Sequence, residues 1–339
     1  MISKSTIDLV GNTPLIKLRE ASESTGCNIL GKAEFLNPGQ SVKDRAALKI
    51  IRDAEKEGLL EPGGLIVEGT AGNTGIGLTL IGQALGYRTL IVMPETQSEE
   101  KKSELRNIGA ELMLVPELPY SDPGNYIRTS GSIADKRGAY WANQFDNVSN
   151  KRAHIEGTSK EIWEQTDSNI DCFVSSIGTG GTIAGTSEGL KSKNKDIKII
   201  CADPMGSGMY TWIKYGKAKA EGSSITEGIG QSRITSNLQG AKIDDAIQVS
   251  DQDALETIFK LLKNEGLCLG PSSGINVAGA IKIAKKLGPG HTIVTILCDY
   301  GTRYSSKIFN TKFLESKNLP VPDLSLIHIS EPTRLGMIS

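Results

Sequence analysis

The sequence contains little histidine, few aromatic residues, no excess of either charge and no long apolar run. Its 38 Lys and Arg residues balance 39 Asp and Glu residues, so it offers no basic surface for nucleic acid or anionic lipid. Three histidines make a histidine-based catalytic dyad or a metal site unexpected. Five scattered cysteines without a CxxC pair argue against a zinc ribbon or a disulfide framework. Because no run approaches ~18 apolar residues and the start lacks a secretory signal, we expect a cytoplasmic protein that acts on small molecules, without membrane or nucleic-acid partners.

Short apolar runs alternate with longer segments of helical periodicity along the chain. The runs suited to buried strands are 65–67, 89–93, 112–115, 172–177, 197–202 and 293–298. The helical segments are 42–57, 74–85, 99–107, 158–165, 182–191, 251–264 and 275–287. This alternation predicts an α/β fold in which helices cover twisted, mostly parallel sheets.

The segment 116–150 has weaker strand signals, and a new series of strand and helix patterns starts near Asp171. We therefore expect an N-terminal α/β domain, 1–150, and a C-terminal α/β domain, 151–320. Residues 1–40 are a candidate segment for crossing over to pack with the C-terminal domain. A ligand cleft between them is expected, because open α/β sheets bind ligands beyond the carboxyl ends of their strands. Residues 325–339 follow neither period and are expected to be a non-native or disordered tail.

A lysine opens one of the helical segments. Residues 37–45 (NPGQSVKDR) lead from a turn into a helix, which places Lys43 in the first helical turn. The positive end of the helix dipole disfavours an ammonium there and favours the neutral amine that condenses with an aldehyde. An ordinary solvated lysine is the alternative if this motif is taken alone.

Two glycine-rich loops each follow an apolar strand and open a helix. The first, 68–77 (EGTAGNTGIG), offers free backbone N–H groups and two threonine hydroxyls that suit a carboxylate. The second, 176–182 (SIGTGGT), lets the backbone wrap closely around a phosphate. Neither has the Gly-Lys-Ser/Thr of a Walker A loop or a convincing dinucleotide fingerprint, so nucleotide hydrolysis and dinucleotide binding are disfavoured. A tight turn between strand and helix is the alternative for either loop alone.

Five motifs occur in one order along the chain: SVKDR at 41–45, TAGNTG at 70–75, GTGGT at 178–182, EGIG at 227–230 and GPSSG at 270–274. Together they resemble the cysteine synthase and cystathionine β-synthase family, whose members are pyridoxal 5'-phosphate (PLP) enzymes of the tryptophan synthase β fold type, PLP fold type II. The resemblance spans about residues 8 to 312. It implies two α/β domains with the active site between them, PLP as the cofactor, no metal, a homodimer, and serine acetyltransferase as a candidate partner.

The resemblance also implies a role for each matching residue. Lys43 matches the lysine that bonds covalently to the cofactor and removes the substrate's Cα proton. Asn73 matches the residue bonded to the cofactor ring hydroxyl, and Ser272 the hydroxyl that faces the pyridine nitrogen. The phosphate loop is matched by Gly178, Thr179, Gly180, Gly181 and Thr182. The substrate site is matched by Thr70, Ala71, Gly72, Asn73, Thr74, Gln144 and Gly228.

Two positions depart from the family pattern. Ala71 stands where the family usually has serine, which removes one hydroxyl near the substrate and leaves the backbone N–H. Arg233 stands where small or apolar residues are common. If Arg233 faces the cleft, its guanidinium is suited to an anionic leaving group such as phosphate; a solvated surface arginine is the alternative.

The function implied by the resemblance is PLP-dependent β-replacement that makes L-cysteine from O-acetyl-L-serine and sulfide through an α-aminoacrylate. A neutral Ser272 hydroxyl cannot stabilise a protonated pyridine ring as an aspartate would, which favours β-elimination over transamination. The alternatives are an O-phosphoserine sulfhydrylase, a cystathionine β-synthase that uses serine and homocysteine, and a non-catalytic regulatory homologue. The SVKDR and GTGGT motifs argue against a serine or threonine dehydratase.

Overall fold

The computed structural model describes residues 3–322, so the predicted tail at 325–339 lies outside the described residues. The strands are β1 (Leu15–Lys17), β2 (Asn28–Ala33), β3 (Leu65–Gly69), β4 (Arg88–Pro94), β5 (Glu111–Val115), β6 (Tyr140–Trp141), β7 (Cys172–Ser175), β8 (Lys198–Pro204), β9 (Asp245–Val249) and β10 (Thr292–Leu297). The helices are α1 (Arg19–Thr25), α2 (Lys43–Lys56), α3 (Asn73–Ala84), α4 (Glu99–Asn107), α5 (Tyr126–Arg137), α6 (Ser149–Ala153), α7 (Ser159–Gln165), α8 (Gly181–Lys193), α9 (Met209–Tyr215), α10 (Asp251–Glu265), α11 (Pro271–Leu287), α12 (Ser305–Ile308) and α13 (Thr311–Ser316).

These strands form two sheets. The larger has the order β1-β2-β10-β7-β8-β9 and the smaller the order β5-β4-β3-β6. All neighbouring pairs are parallel except β1 and β2, which are antiparallel. The predicted α/β class with mostly parallel sheets is confirmed. The first two strands join the sheet otherwise made of β7 to β10, whereas a division into two domains at residue 150 stays a prediction.

Helices cover both faces of the larger sheet because its central strands are apolar on both sides. On β7, Cys172 and Val174 face a core shared with α10 and α11, whereas Phe173 faces a core shared with α7 and α8. The smaller sheet packs in the same way, with Ile66 of β3 buried against α2 and α3. Within residues 3–322, no helix combines the length and the apolar character needed to cross a membrane.

Four strands direct the chain toward one region. The segment after β2 leads to the start of α2, the loop after β3 opens α3, the loop after β7 opens α8, and the segment after β10 runs beside the start of α2. Because parallel strands present their carboxyl ends at the same edge of a sheet, these segments converge. The arrangement predicts a ligand site where the two sheets face each other.

A buried group of four charged side chains fixes the segment that leads into α2. Arg45 binds Glu34 through two hydrogen bonds of 2.7 and 2.8 Å and binds Glu161 through two of 2.6 and 2.7 Å. Lys32 of β2 forms a 2.6 Å ion pair with Glu161. Although burial raises the pKa of Glu161, its bonds to Arg45 and Lys32 lower that pKa to about 2. Two cations therefore balance two carboxylates, which makes the loss of any one member costly.

We predict that Glu161→Gln lowers the free energy of unfolding by about 3–5 kcal/mol, because it leaves two buried cations sharing one carboxylate. Denaturant unfolding measures this change. The control is Glu164→Gln on the same helix, whose side chain is 62% exposed; it should alter stability by less than about 0.5 kcal/mol. An equally small effect of Glu161→Gln would show that the group contributes little.

Candidate active site

A cavity of about 460 Å³ lies between the two sheets. It is lined by 14 of the 15 residues predicted from the sequence: Lys43, Thr70, Ala71, Gly72, Asn73, Thr74, Gln144, Gly178, Thr179, Gly180, Thr182, Gly228, Arg233 and Ser272. Gly181 is not in the lining; a Cβ there would overlap the side-chain amide of Asn150. The predicted lysine and the predicted phosphate loop, 135 positions apart (178 − 43), thus lie at one cavity.

Lys43 is the first residue of α2, as the motif predicts. Its position is fixed by neighbours at the carboxyl end of β10: the Val42 N–H donates to the Cys298 carbonyl at 2.9 Å, and Ser41 forms a β-bridge with Asp299. The Lys43 amine makes no hydrogen bond or ion pair within residues 3–322. Burial lowers the pKa of Lys43, and the negative charge of Asp299 offsets this only in part. The amine is thus biased toward its neutral, nucleophilic form.

The loop at 70–74 has the geometry of an anion site. The loop follows β3 and leads into α3. Gly72 adopts φ 143°, a conformation that disfavours a side chain. Within the described residues the N–H groups of Ala71, Asn73 and Thr74 donate to no other group. Donors at a helix start suit a carboxylate.

Gln144 completes this wall. Its Oε1 accepts from the Thr74 hydroxyl at 2.5 Å and its Nε2 donates to the Gly69 carbonyl at 3.3 Å. The backbone N–H of Gln144 donates to Glu68, whose pKa burial raises to about 8. Gln144 is therefore fixed at both its backbone and its side chain beside the loop.

The loop at 178–182 forms the opposite wall. Gly180 has φ 89°, and the N–H groups of Gly178, Thr179, Gly180 and Thr182 donate no hydrogen bond to any residue between 3 and 322. Two side chains orient the hydroxyls: Asn150 donates to Thr179 Oγ1 at 2.8 Å, and a ring nitrogen of His154 lies 3.3 Å from Thr182 Oγ1. A set of unused donors at the start of α8 suits a phosphate.

Asn73 is held by residues that follow β10. Its Nδ2 donates to Asp299 at 2.6 Å and its Oδ1 accepts from Arg303 at 3.1 Å. Tyr304 also donates to Asp299, at 2.6 Å. Ser272, in the first turn of α11, is 6% exposed and lines the same cavity.

Sequence reasoning missed the ion pairs that join the cavity walls. Lys101 of α4, 2% exposed, binds Glu227 at 2.5 Å, and Glu227 also binds Lys307. Lys101 lies in the strongly charged segment EEKKSELRN, which is typical of a solvated helix, so no local signal marks it. Asn150 and Asp146 were missed for the same reason: only the fold brings them to Thr179 and Arg233, which line the cavity.

Arg233 faces the cleft, which answers the question left open by the sequence. Its guanidinium binds Asp146 at 3.0 Å and lies 4.3 Å from the centroid of the Tyr120 ring. The contacts of His154 are those of a side chain that positions its neighbours. Burial holds the pKa of His154 well below the usual value, so its ring is neutral.

Comparison with known proteins decides the family. Residues 6–299 match the family model described as pyridoxal-phosphate dependent enzyme. The chain belongs to this family. Cysteine synthase 1 of Neurospora crassa is 50% identical over 324 residues, covering 94% of this chain and 86% of that protein. The cysteine synthase of Dictyostelium discoideum is 45% identical, with 96% and 89% covered. The crystal structure of O-ureido-L-serine synthase superposes with a TM-score of 0.85 at 33% identity, with 92% and 96% covered.

The cavity of this pyridoxal-phosphate dependent enzyme fits its cofactor. The unused N–H groups at 178–182 match the phosphate, and the unpaired Lys43 amine matches the aldehyde. Both belong to one cavity large enough for a PLP-sized molecule and an amino acid. The expectation of PLP as the cofactor is therefore confirmed by the family, and the donors present agree with it.

We predict that Gly178→Ala weakens retention of PLP by at least about tenfold, because a methyl group there would overlap the Gly228 carbonyl oxygen and push the phosphate loop away from its neighbour. Equilibrium dialysis with visible absorbance measures retention. The control is Gly82→Ala within α3, where the added methyl meets only ordinary contacts of 3.5 Å or more. Equal retention by both variants would contradict the prediction.

Proposed function

We propose that this protein is a cysteine synthase that replaces the acetate of O-acetyl-L-serine with sulfide to form L-cysteine. The observation that carries this proposal is an unpaired, half-buried lysine amine in one cavity with two separate sets of unused anion donors. The relatives named cysteine synthase, 45–50% identical over nearly the whole chain, support it.

We assign the residues to three tasks. The loop at 70–74 and Gln144 bind the substrate carboxylate, with Gly228 on the facing wall. The loop at 178–182 binds the cofactor phosphate, Asn73 the ring hydroxyl, and Ser272 the pyridine nitrogen. Lys43 holds the cofactor covalently between turnovers and is the base during them.

Bound PLP supplies an aldehyde that condenses with amino groups and a ring that withdraws electrons from the attached carbon. With the cofactor in place, Lys43 would hold its aldehyde between turnovers, and the Lys43 amine would accept the substrate's Cα proton during them. Its lowered pKa suits this step, because a lysine with an ordinary pKa is protonated at neutral pH. By binding the substrate carboxylate, the N–H donors at 70–74 keep the Cα–H bond oriented toward that amine.

Four further proposals do not rest on contacts in the cavity. From the sequence pattern we expect a division into domains at residue 150 and a cytoplasmic location. From the family resemblance we expect a homodimer and association with a serine acetyltransferase. Sedimentation of the purified protein, alone and with the acetyltransferase, tests the two association proposals.

The function is tested by identifying the product formed from O-acetylserine, O-phosphoserine or serine with sulfide or homocysteine. We expect cysteine from O-acetylserine and sulfide as the fastest reaction. Lys43→Ala should lose the visible absorption of the covalently bound cofactor and at least about 10³-fold in kcat, because base and covalent attachment are both removed. The control is Lys49→Ala, six residues further along α2 and outside the cavity lining. Faster cystathionine formation from serine and homocysteine would contradict the proposal.

We predict that Ala71→Ser changes kcat/KM for O-acetylserine by less than about tenfold. The backbone N–H of residue 71 is the proposed ligand and stays in place, and one added hydrogen bond contributes ~0.5–1.5 kcal/mol. Steady-state kinetics measure the change. A complete loss of activity, or a different product, would show that the side chain at 71 selects the reaction.

A further inference from the structure

One arginine in the cavity wall has a donor that no residue uses. Arg233 directs Nη1 to Asp146 Oδ2 at 3.0 Å, and its guanidinium lies against Tyr120 and, at 5.3 Å, Phe145. Its Nη2 is buried and has no hydrogen-bond partner within residues 3–322. Nη2 is enclosed by protein, so a bound molecule would meet the guanidinium through the part of the Arg233 side chain that lines the cavity, a side chain that is 24% exposed.

The pair formed by Arg233 and Asp146 lies between the two proposed binding loops. Asp146 is two residues after Gln144, on the substrate side, and accepts the Ser236 N–H at 2.9 Å. Arg233 is two residues before Thr235, whose hydroxyl donates to the carbonyl of Thr179 in the phosphate loop. With the substrate carboxylate at 70–74 and its amine at Lys43, the wall left for the substrate side chain is the one that Arg233 lines, with Asp146 bound to Arg233 from outside the lining.

The charge of the pair limits which leaving group it accepts. A lone guanidinium would favour a phosphate dianion. Here Asp146, 3.0 Å from Nη1, neutralises it, so a dianionic group would gain less from the arginine and would be repelled by the paired carboxylate in a site partly shielded from water. A neutral acetyl ester meets no such repulsion. As its Cβ–O bond breaks, the electron pair leaves on the ester oxygen, and the single charge of acetate is stabilised by the Arg233 guanidinium.

We propose that Asp146 and Arg233 set the leaving-group class of this enzyme, selecting carboxylate esters over phosphate esters. This rests on the proposed β-replacement. Arg233 is the residue that touches the leaving group, and Asp146 is the positioning residue that cancels its charge. The guanidinium is the anion-binding group expected from the sequence. Its pairing with Asp146 changes the preferred leaving group from phosphate to a carboxylate.

The test compares O-acetyl-L-serine and O-phospho-L-serine as substrates of the PLP-loaded enzyme with sulfide. Asp146→Asn keeps the shape of the side chain and removes its charge. We expect the ratio of kcat/KM for phosphoserine to that for acetylserine to rise by at least about tenfold, together with stronger inhibition by inorganic phosphate. The control Asp244→Asn removes a carboxylate paired with Lys191 outside the cavity and should leave the ratio unchanged.

A second variant keeps the proposal testable if Asp146→Asn fails to retain PLP. Arg233→Gln should lower kcat for acetylserine by at least about tenfold with a smaller change in KM, because the lost interaction strengthens as the acetate leaves. An unchanged ratio in Asp146→Asn, or an unchanged kcat in Arg233→Gln, would overturn the leaving-group assignment alone. Failure of the parent enzyme to form cysteine from either ester would overturn the proposed function as well.

Discussion

A half-buried amine without a carboxylate partner is the constraint on which the rest of the site depends. Lys43 lies at the start of α2, and desolvation outweighs the attraction of Asp299, so the pKa of the amine is lowered. The other cations of the cavity wall each bind a carboxylate: Lys101 binds Glu227, and Arg233 binds Asp146. Charge is thus cancelled around the cavity while Lys43 stays unpaired within the described residues, and a lysine with a lowered pKa is a good nucleophile near neutral pH.

The backbone around Lys43 has to be rigid for that arrangement to persist. A flexible start of α2 would let the amine reach water and regain a proton. The Ser41 bridge to Asp299 and the Val42 hydrogen bond to Cys298 tie the segment to the end of β10. On its other side, Arg45 is locked by two buried carboxylates. The charged group around Arg45 and the unpaired amine of Lys43 therefore both depend on the fixed position of the start of α2.

Most of the cavity could be predicted from the sequence because its parts are local. A strand, a glycine-rich loop and a helix start lie within about ten residues of one another, and both loops, at 70–74 and 178–182, are where the pattern places them. Four strands were not predicted. β1 and β6 have only three and two residues, and β2 (NILGKA) and β9 (DAIQV) interrupt their apolar residues with polar residues or glycine. Side-chain partners could not be predicted from local patterns either, because they are far apart in the sequence. Asp299 binds Asn73 across 226 positions, and Arg233 binds Asp146 across 87.

Two glycines let the walls of the cavity approach each other closely. A side chain at Gly178 would overlap the Gly228 carbonyl, and one at Gly72 would lie 2.7 Å from the stem of Lys101. In the proposed assignment, cofactor and carboxylate are bound mostly by backbone N–H groups, which side-chain substitution does not remove. A change of specificity would then have to come from side chains in the remaining wall, such as Arg233 together with its partner Asp146.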